Sequence, residues 1–157
     1  MESNPELIPA CGLYCGVCKI YQATQDNDRA YLKRLARLYE RRLPELAPIG
    51  LDDLLCDGCR SGRKSLFCRV CELRDCVYQK SYQGCHQCAE FPCELIEEFP
   101  VPEGKKVILQ AIPYRREHGT SAWIRWEHQR YRCPECGTDL YRGCTQCPGC
   151  KIPWTMA

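Results

Sequence analysis

Histidine is scarce in this sequence, and so are the patterns on which most hydrolytic enzymes depend. The 157 residues include three histidines, none of them in an H-E-x-x-H or H-x-E pattern, which leaves hydrolytic zinc chemistry without its usual ligands and base. The chain also lacks a glycine-rich phosphate loop and paired carboxylates beside an open metal position. Nothing in the sequence therefore indicates an enzyme.

Large apolar residues are few as well. Leu, Ile, Val and Phe number 31 in total, about a fifth of the chain, which is near the level at which a packed core becomes doubtful. No stretch approaches the ~18 consecutive apolar residues of a membrane span, and residues 1–10 have neither the basic nor the apolar region of a signal peptide. We therefore expect a cytoplasmic protein that needs something besides its core for stability.

Cysteine, by contrast, is abundant, with 16 residues. Residues 56–93 hold eight of them, and the unit C-x2-C-x4-C occurs twice, as CRVCELRDC and CHQCAEFPC. A C-x2-C step places two sulfurs in one turn, where they can share a metal ion. In a reducing compartment these cysteines are ligands rather than disulfides. Since a structural zinc ion supplies about 10–16 kcal/mol, metal binding can replace the missing core.

Two metal sites are expected among the eleven cysteines up to Cys93. Cys11, Cys15 and Cys18 have the C-x3-C-x2-C spacing of radical SAM enzymes, but the chain is too short for the barrel of those enzymes. Two four-thiolate sites would use eight cysteines, and the sequence leaves their pairing open. The predicted ligands are Cys15, Cys18, Cys56, Cys59, Cys68, Cys71, Cys85 and Cys88. The candidate non-ligands are Cys11, Cys76 and Cys93.

A third site is predicted near the C-terminus. Cys133-x2-Cys136 and Cys147-x2-Cys150 are separated by ten residues, the spacing of a zinc ribbon in which two β-hairpins close a cage of four sulfurs. Both knuckles read CPxC, which favours Cys147 and Cys150 over the alternative pair that starts at Cys144. A closed site of this kind is structural, or with iron it is rubredoxin-like.

Two helical regions are predicted around these motifs. Residues 20–43 have a helical apolar period, with Asp26 or Asp28 as a cap and Pro44 as the end. Residues 105–131 form the second region, broken near Pro113 and Gly119, with tryptophans 123 and 126 in a small core. The predicted fold is therefore a small metal-stabilised α+β protein. It comprises a cysteine-knuckle domain over residues 1–100, a helical connector over 101–130 and a zinc ribbon of short β-hairpins over 131–157.

The ordered set of motifs resembles a known family. CGLYCGVCKIY begins at Cys11, CDGC at Cys56, CRVCELRDC at Cys68 and CHQCAEFPC at Cys85, and a tryptophan-containing helix leads into CPECG. Together they resemble family 3795 of the domains of unknown function, a prokaryotic cysteine-rich group. The resemblance covers nearly the whole chain. It implies metal binding and supplies no activity or substrate.

The first functional hypothesis is a module stabilised by two to four zinc ions that binds an unknown protein partner. The alternative is an iron–sulfur or rubredoxin-like redox protein, in which Cys11, Cys15, Cys18 and one later cysteine hold a [4Fe–4S] cluster. Sulfur ligands alone do not distinguish zinc from iron.

A second alternative is a nucleic-acid-binding zinc-ribbon protein. One face of the first predicted helix is basic. It carries Arg29, Lys33, Arg34, Arg37, Arg41 and Arg42. Twelve thiolates with three zinc ions would, however, change the formal charge of +2 to roughly −4, which argues against nucleic-acid binding.

Overall fold

The computed structural model describes residues 4–155, so residues 1–3 and 156–157, at the ends of the first and last predicted domains, lie outside the described residues. The described chain is built from α-helices joined by loops and short 3-10 turns. The helices are α1 (Lys19–Gln25), α2 (Arg29–Arg42), α3 (Leu66–Arg69), α4 (Glu72–Gln79), α5 (Glu94–Glu97) and α6 (Pro102–Arg130). The 3-10 turns are Pro5–Leu7, Cys15–Val17, Pro44–Leu46 and Cys85–Gln87.

The first predicted helical region forms two helices rather than one. Asn27 has a left-handed φ of 52°, which ends α1, and the Asp28 side chain then accepts a hydrogen bond from the Tyr31 N–H at 2.9 Å. This caps the N-terminus of α2 as the sequence predicts. Leu32 on α2 is fully buried against Ala23 of α1. The two helices therefore pack together across the short turn.

The second helical region is α6, and it is kinked at Gly119, where φ is 80° and ψ is 169°. The predicted break there is confirmed, whereas Pro113 lies inside the helix without a break. Trp123 is fully buried in a core cluster. Trp126 is half-buried and stacks on Tyr114 with ring centroids 4.4 Å apart.

The predicted zinc ribbon of β-hairpins, and with it the α+β class, is wrong. Between residues 4 and 155 there are no β-strands, only two isolated bridges, Arg132 with Asp139 and Gln146 with Pro153. The first bridge does not extend, because the Arg142 N–H, which would come after that of Leu140 in its ladder, donates to the Val17 carbonyl at 2.8 Å and draws the chain towards the N-terminal loop. The fold is helical.

The C-terminal segment shares a core with residues from the other end of the chain. Tyr131 and Leu140 are buried in one cluster with Leu7, Tyr14 and Val17. Because these residues are far apart in sequence, the C-terminal segment is held against the N-terminal loop by tertiary contacts. Among the described helices, none combines the length and the apolarity needed to cross a membrane.

Candidate metal centres

The C-terminal segment brings four sulfurs together. The ligand atoms of Cys133, Cys136, Cys147 and Cys150 all lie within 4.8 Å of one another. The sulfurs of Cys133 and Cys150 are 3.6 Å apart, and so are those of Cys136 and Cys147. A tetrahedral zinc site with Zn–S bonds of about 2.3 Å has sulfurs about 3.8 Å apart. The four cysteines therefore have the spacing that holds a single metal ion.

Two similar turns present these sulfurs. The Gly137 N–H donates to the Cys133 carbonyl at 2.9 Å, and the Lys151 N–H donates to the Cys147 carbonyl at 3.0 Å. Gly137 and Lys151 both have a left-handed backbone, with φ of 70° and 64°. A Cβ atom at Gly149 would lie 2.4 Å from the Thr138 hydroxyl oxygen, so glycine allows the two turns to approach each other closely.

The site favours the thiolate form of one ligand. The Thr138 hydroxyl lies 3.1 Å from the Cys136 sulfur, and this hydrogen bond is the main cause that lowers the pKa of Cys136 to about 6. Because the thiolate is the form that binds metal, Cys136 is ready to act as a ligand at neutral pH.

Cys144 lies outside this set. It is buried, and its thiol donates to the Gln146 carbonyl at 2.9 Å. The structure therefore groups Cys150, not Cys144, with Cys133, Cys136 and Cys147, as the CPxC pattern predicts.

The N-terminal candidates form a looser group. The Cys59 backbone N–H donates a hydrogen bond to the Cys15 sulfur. Burial, together with the nearby thiols of Cys56, Cys18 and Cys59, raises the pKa of Cys68 to about 11. Within residues 4–155, no three of these sulfurs lie within 4.8 Å of one another, so their role as ligands stays a prediction.

Cysteines of both repeated units lie near one another. Cys71 lies near Cys11 and Cys59, whose pKa values its charge raises. Cys85 lies beside Cys93, Cys76 and Cys88. Burial first, and then these three thiols and Cys71, raise the pKa of Cys85 to about 12. Cys76 and Cys93, two of the three predicted non-ligands, thus accompany the predicted ligands Cys85 and Cys88.

Sequence reasoning assigned Cys76 and Cys93 no role, although a signal was present. Both occupy the last position of the C-x2-C-x4-C unit. A repeat that keeps its third cysteine at a fixed distance indicates a shared function for that position.

A comparison with protein families identifies the chain. A family model described as "Protein of unknown function (DUF3795)" matches residues 7–98, well over half of the sequence. The chain belongs to the DUF3795 family. The family resemblance inferred from the cysteine motifs is thereby confirmed over residues 7–98. The match does not extend over nearly the whole chain, as the motifs predict, because it ends before the tryptophan-containing helix and the C-terminal four-cysteine set of this DUF3795 protein. No curated protein and no solved structure matches the chain.

Proposed function

We propose that this DUF3795 protein is a zinc-stabilised binding module. The observation that carries the proposal is the grouping of the Cys133, Cys136, Cys147 and Cys150 sulfurs within 4.8 Å. Four sulfur ligands complete the coordination of zinc and leave no position for water or substrate. Such a site supports a structural role rather than hydrolysis.

The surroundings of the site show what a bound ion would stabilise. The Arg142 guanidinium donates to the Tyr14 carbonyl at 2.9 Å, and the fully buried Leu140 packs in a cluster with Tyr14 and Val17. An ion that joins the two C-terminal turns would therefore also stabilise the contact between the C-terminal segment and the N-terminal loop. Tetrahedral sulfur coordination suits zinc or iron, and we favour zinc because this role needs no change of oxidation state.

Metal analysis of the intact protein tests this proposal. Protein purified without chelators or oxygen should contain zinc, and native mass spectrometry after equilibration with a chelator of intermediate zinc affinity should show one zinc fewer in Cys150→Ser than in the wild type. Iron in place of zinc at this site would contradict the zinc proposal and support the rubredoxin-like alternative.

The proposed partner is another protein, in the cytoplasm, where the sixteen cysteines, none of them in a disulfide, stay reduced. Large apolar side chains are exposed around α3 and α4, where Phe67, Val70 and Tyr78 are 36%, 78% and 47% exposed. Apolar side chains that are exposed in one contiguous patch are typical of protein contact surfaces, and Val70, the most exposed of the three, is the position to test.

Site-specific photocrosslinking tests the proposed partner contact. A photoreactive amino acid in place of Val70 should give a discrete adduct in the native cell, whereas the same residue in place of the exposed Arg37 on α2 should not. Equal labelling from both positions, or no adduct from position 70, would contradict the proposed surface.

A further inference from the structure

A second set of four cysteines surrounds a cavity away from the C-terminal site. The cavity has a volume of about 190 Å³. Its sulfur-bearing lining consists of Cys76, Cys85, Cys88 and Cys93. The second C-x2-C-x4-C unit supplies three of these cysteines, and α4 supplies Cys76. Four soft ligands at one cavity are the composition of a metal or iron–sulfur site.

Backbone contacts from distant parts of the chain fix the positions of these cysteines. The Cys85 N–H donates to the Ala10 carbonyl at 2.9 Å. The Arg116 side chain on α6 donates to the carbonyls of His86 and Cys88 at 2.9 and 2.8 Å. Cys93 directly precedes α5, so its position follows that of the helix. The four sulfurs are therefore presented by a structure that is set by tertiary contacts.

The spacing of these sulfurs differs from that of the C-terminal set. No three potential ligand atoms of this group lie within 4.8 Å of one another, in contrast to the C-terminal four, which do. A cavity of about 150 Å³ accommodates a benzene molecule, so the space here exceeds what a single ion needs. Four thiolates that each bind a different iron of a cluster lie farther apart than four thiolates on one ion.

Charged groups of both signs lie near the cysteines of the cavity. The Lys80 ammonium lies 3.8 Å from the Cys88 sulfur, but it is also paired with a Glu90 carboxylate oxygen at 2.5 Å, and Glu94 lines the cavity as well. The Arg115 guanidinium is 1% exposed, donates to the Pro9 carbonyl at 3.1 Å and lies within electrostatic range of Cys85. Arg115 therefore offsets part of the negative charge that four thiolates bring to a metal group.

The remaining walls of the cavity are largely apolar. They include Leu73, Val77, Phe91 and Leu95. Such walls limit the access of water, and solvent exposure is one of the factors that set the reduction potential of an iron–sulfur cluster.

We propose that Cys76, Cys85, Cys88 and Cys93 bind a polynuclear iron–sulfur cluster of the [4Fe–4S] class. This cluster is separate from the single-ion site at Cys133, Cys136, Cys147 and Cys150. It also uses different ligands from the cluster that the sequence alone places at the N-terminal cysteines, and it assigns a role to Cys76 and Cys93.

The test begins with full-length protein purified without oxygen and then supplied with ferrous iron and sulfide. We expect about four iron and four acid-labile sulfide per chain, with the broad visible absorption of an iron–sulfur cluster. Iron X-ray absorption should show iron–iron scattering, which a mononuclear site lacks. Zinc alone after reconstitution, or iron without sulfide and without iron–iron scattering, would overturn the proposal.

Two variants assign the ligands. Cys76→Ser and Cys93→Ser should each lose most of the iron and sulfide, while their zinc content stays that of the wild type. Cys144→Ser is the matched control, because it too removes one thiol, and its hydroxyl can still donate to the Gln146 carbonyl. It should keep the cluster.

A further variant separates this proposal from an N-terminal cluster. Cys18→Ser should keep the iron if the cluster lies at the cavity. Loss of iron from Cys18→Ser with retention in both Cys76→Ser and Cys93→Ser would overturn the proposal. If Cys18→Ser fails to fold, Cys15→Ser replaces it, while the wild-type X-ray absorption measurement decides whether a cluster is present at all. Loss of zinc alone, as expected for Cys150→Ser, bears only on the C-terminal site.

Discussion

Replacing Cys150 with serine should weaken metal binding at the C-terminal site, whereas replacing Cys144 with serine should not. The two cysteines lie on the same segment, but only the Cys150 sulfur is 3.6 Å from that of Cys133. The Cys144 thiol points to the Gln146 carbonyl instead. A hydroxyl at position 144 can make the same hydrogen bond, so the variant loses one sulfur without losing a contact to the metal.

The size of the effect follows from the number of ligands. A structural zinc ion bound by four ligands contributes about 10–16 kcal/mol, so the share of one thiolate is roughly 2.5–4 kcal/mol. This corresponds to zinc binding that is about 10²- to 10³-fold weaker in Cys150→Ser. In Cys144→Ser the zinc affinity should stay within about threefold of the wild-type value. A threefold change in affinity corresponds to about 0.7 kcal/mol.

Competition with a chromogenic chelator measures both affinities, and circular dichroism checks that each variant is folded. Release of zinc from Cys144→Ser with retention in Cys150→Ser would refute the ligand set and support the alternative pair that begins at Cys144.

Two further predictions concern the turns that present the cysteines. Gly58→Ala should lower the free energy of unfolding by at least the roughly 1–2 kcal/mol cost of a left-handed backbone, because φ is +126° and the new Cβ would lie 2.5 Å from the Glu6 carbonyl oxygen. In Gly62→Ala no heavy atom lies within 4 Å of the new Cβ, so the free energy of unfolding should change by less than about 0.5 kcal/mol. Denaturant titration measures both variants, and equal unfolding midpoints for the two would contradict this account. Thr138→Val should raise the midpoint pH of acid-induced zinc release, since the hydroxyl makes the largest of the several hydrogen bonds that together lower the pKa of Cys136 to about 6. Without this hydrogen bond the Cys136 thiolate is protonated at a higher pH. An unchanged midpoint in a zinc-release titration would show that the hydrogen bond has no role.

Local sequence patterns predicted the parts of the fold that depend on neighbouring residues. Asp28 caps α2 through the Tyr31 N–H, and the leucine period around Leu32 marks the buried face. The break at Gly119 is likewise a local backbone property, because glycine adopts a positive φ without steric cost. The four C-terminal cysteines also lie within a stretch of 18 residues, so their spacing was sufficient to group them.

The errors arose where distant contacts decide the structure. The C-terminal turns have the sequence of hairpins, but the Arg142 N–H pairs with Val17, a residue that no local pattern connects to it. Similarly, Cys76 and Cys93 share a cavity with Cys85 and Cys88 because helices α4 and α5 pack beside the turn between them. Spacing along the chain predicts that cysteines form turns, and tertiary packing determines which turns meet.

Zinc X-ray absorption spectroscopy tests the central claim most directly. The measurement would compare wild-type protein with Cys150→Ser at equal protein concentration, after both have been equilibrated with a chelator of intermediate zinc affinity. We expect four sulfur neighbours at about 2.3 Å in the wild type, and a smaller zinc signal in the variant. Nitrogen or oxygen neighbours in the wild-type spectrum, or an equal zinc signal from the two proteins, would contradict a zinc ion held by Cys133, Cys136, Cys147 and Cys150.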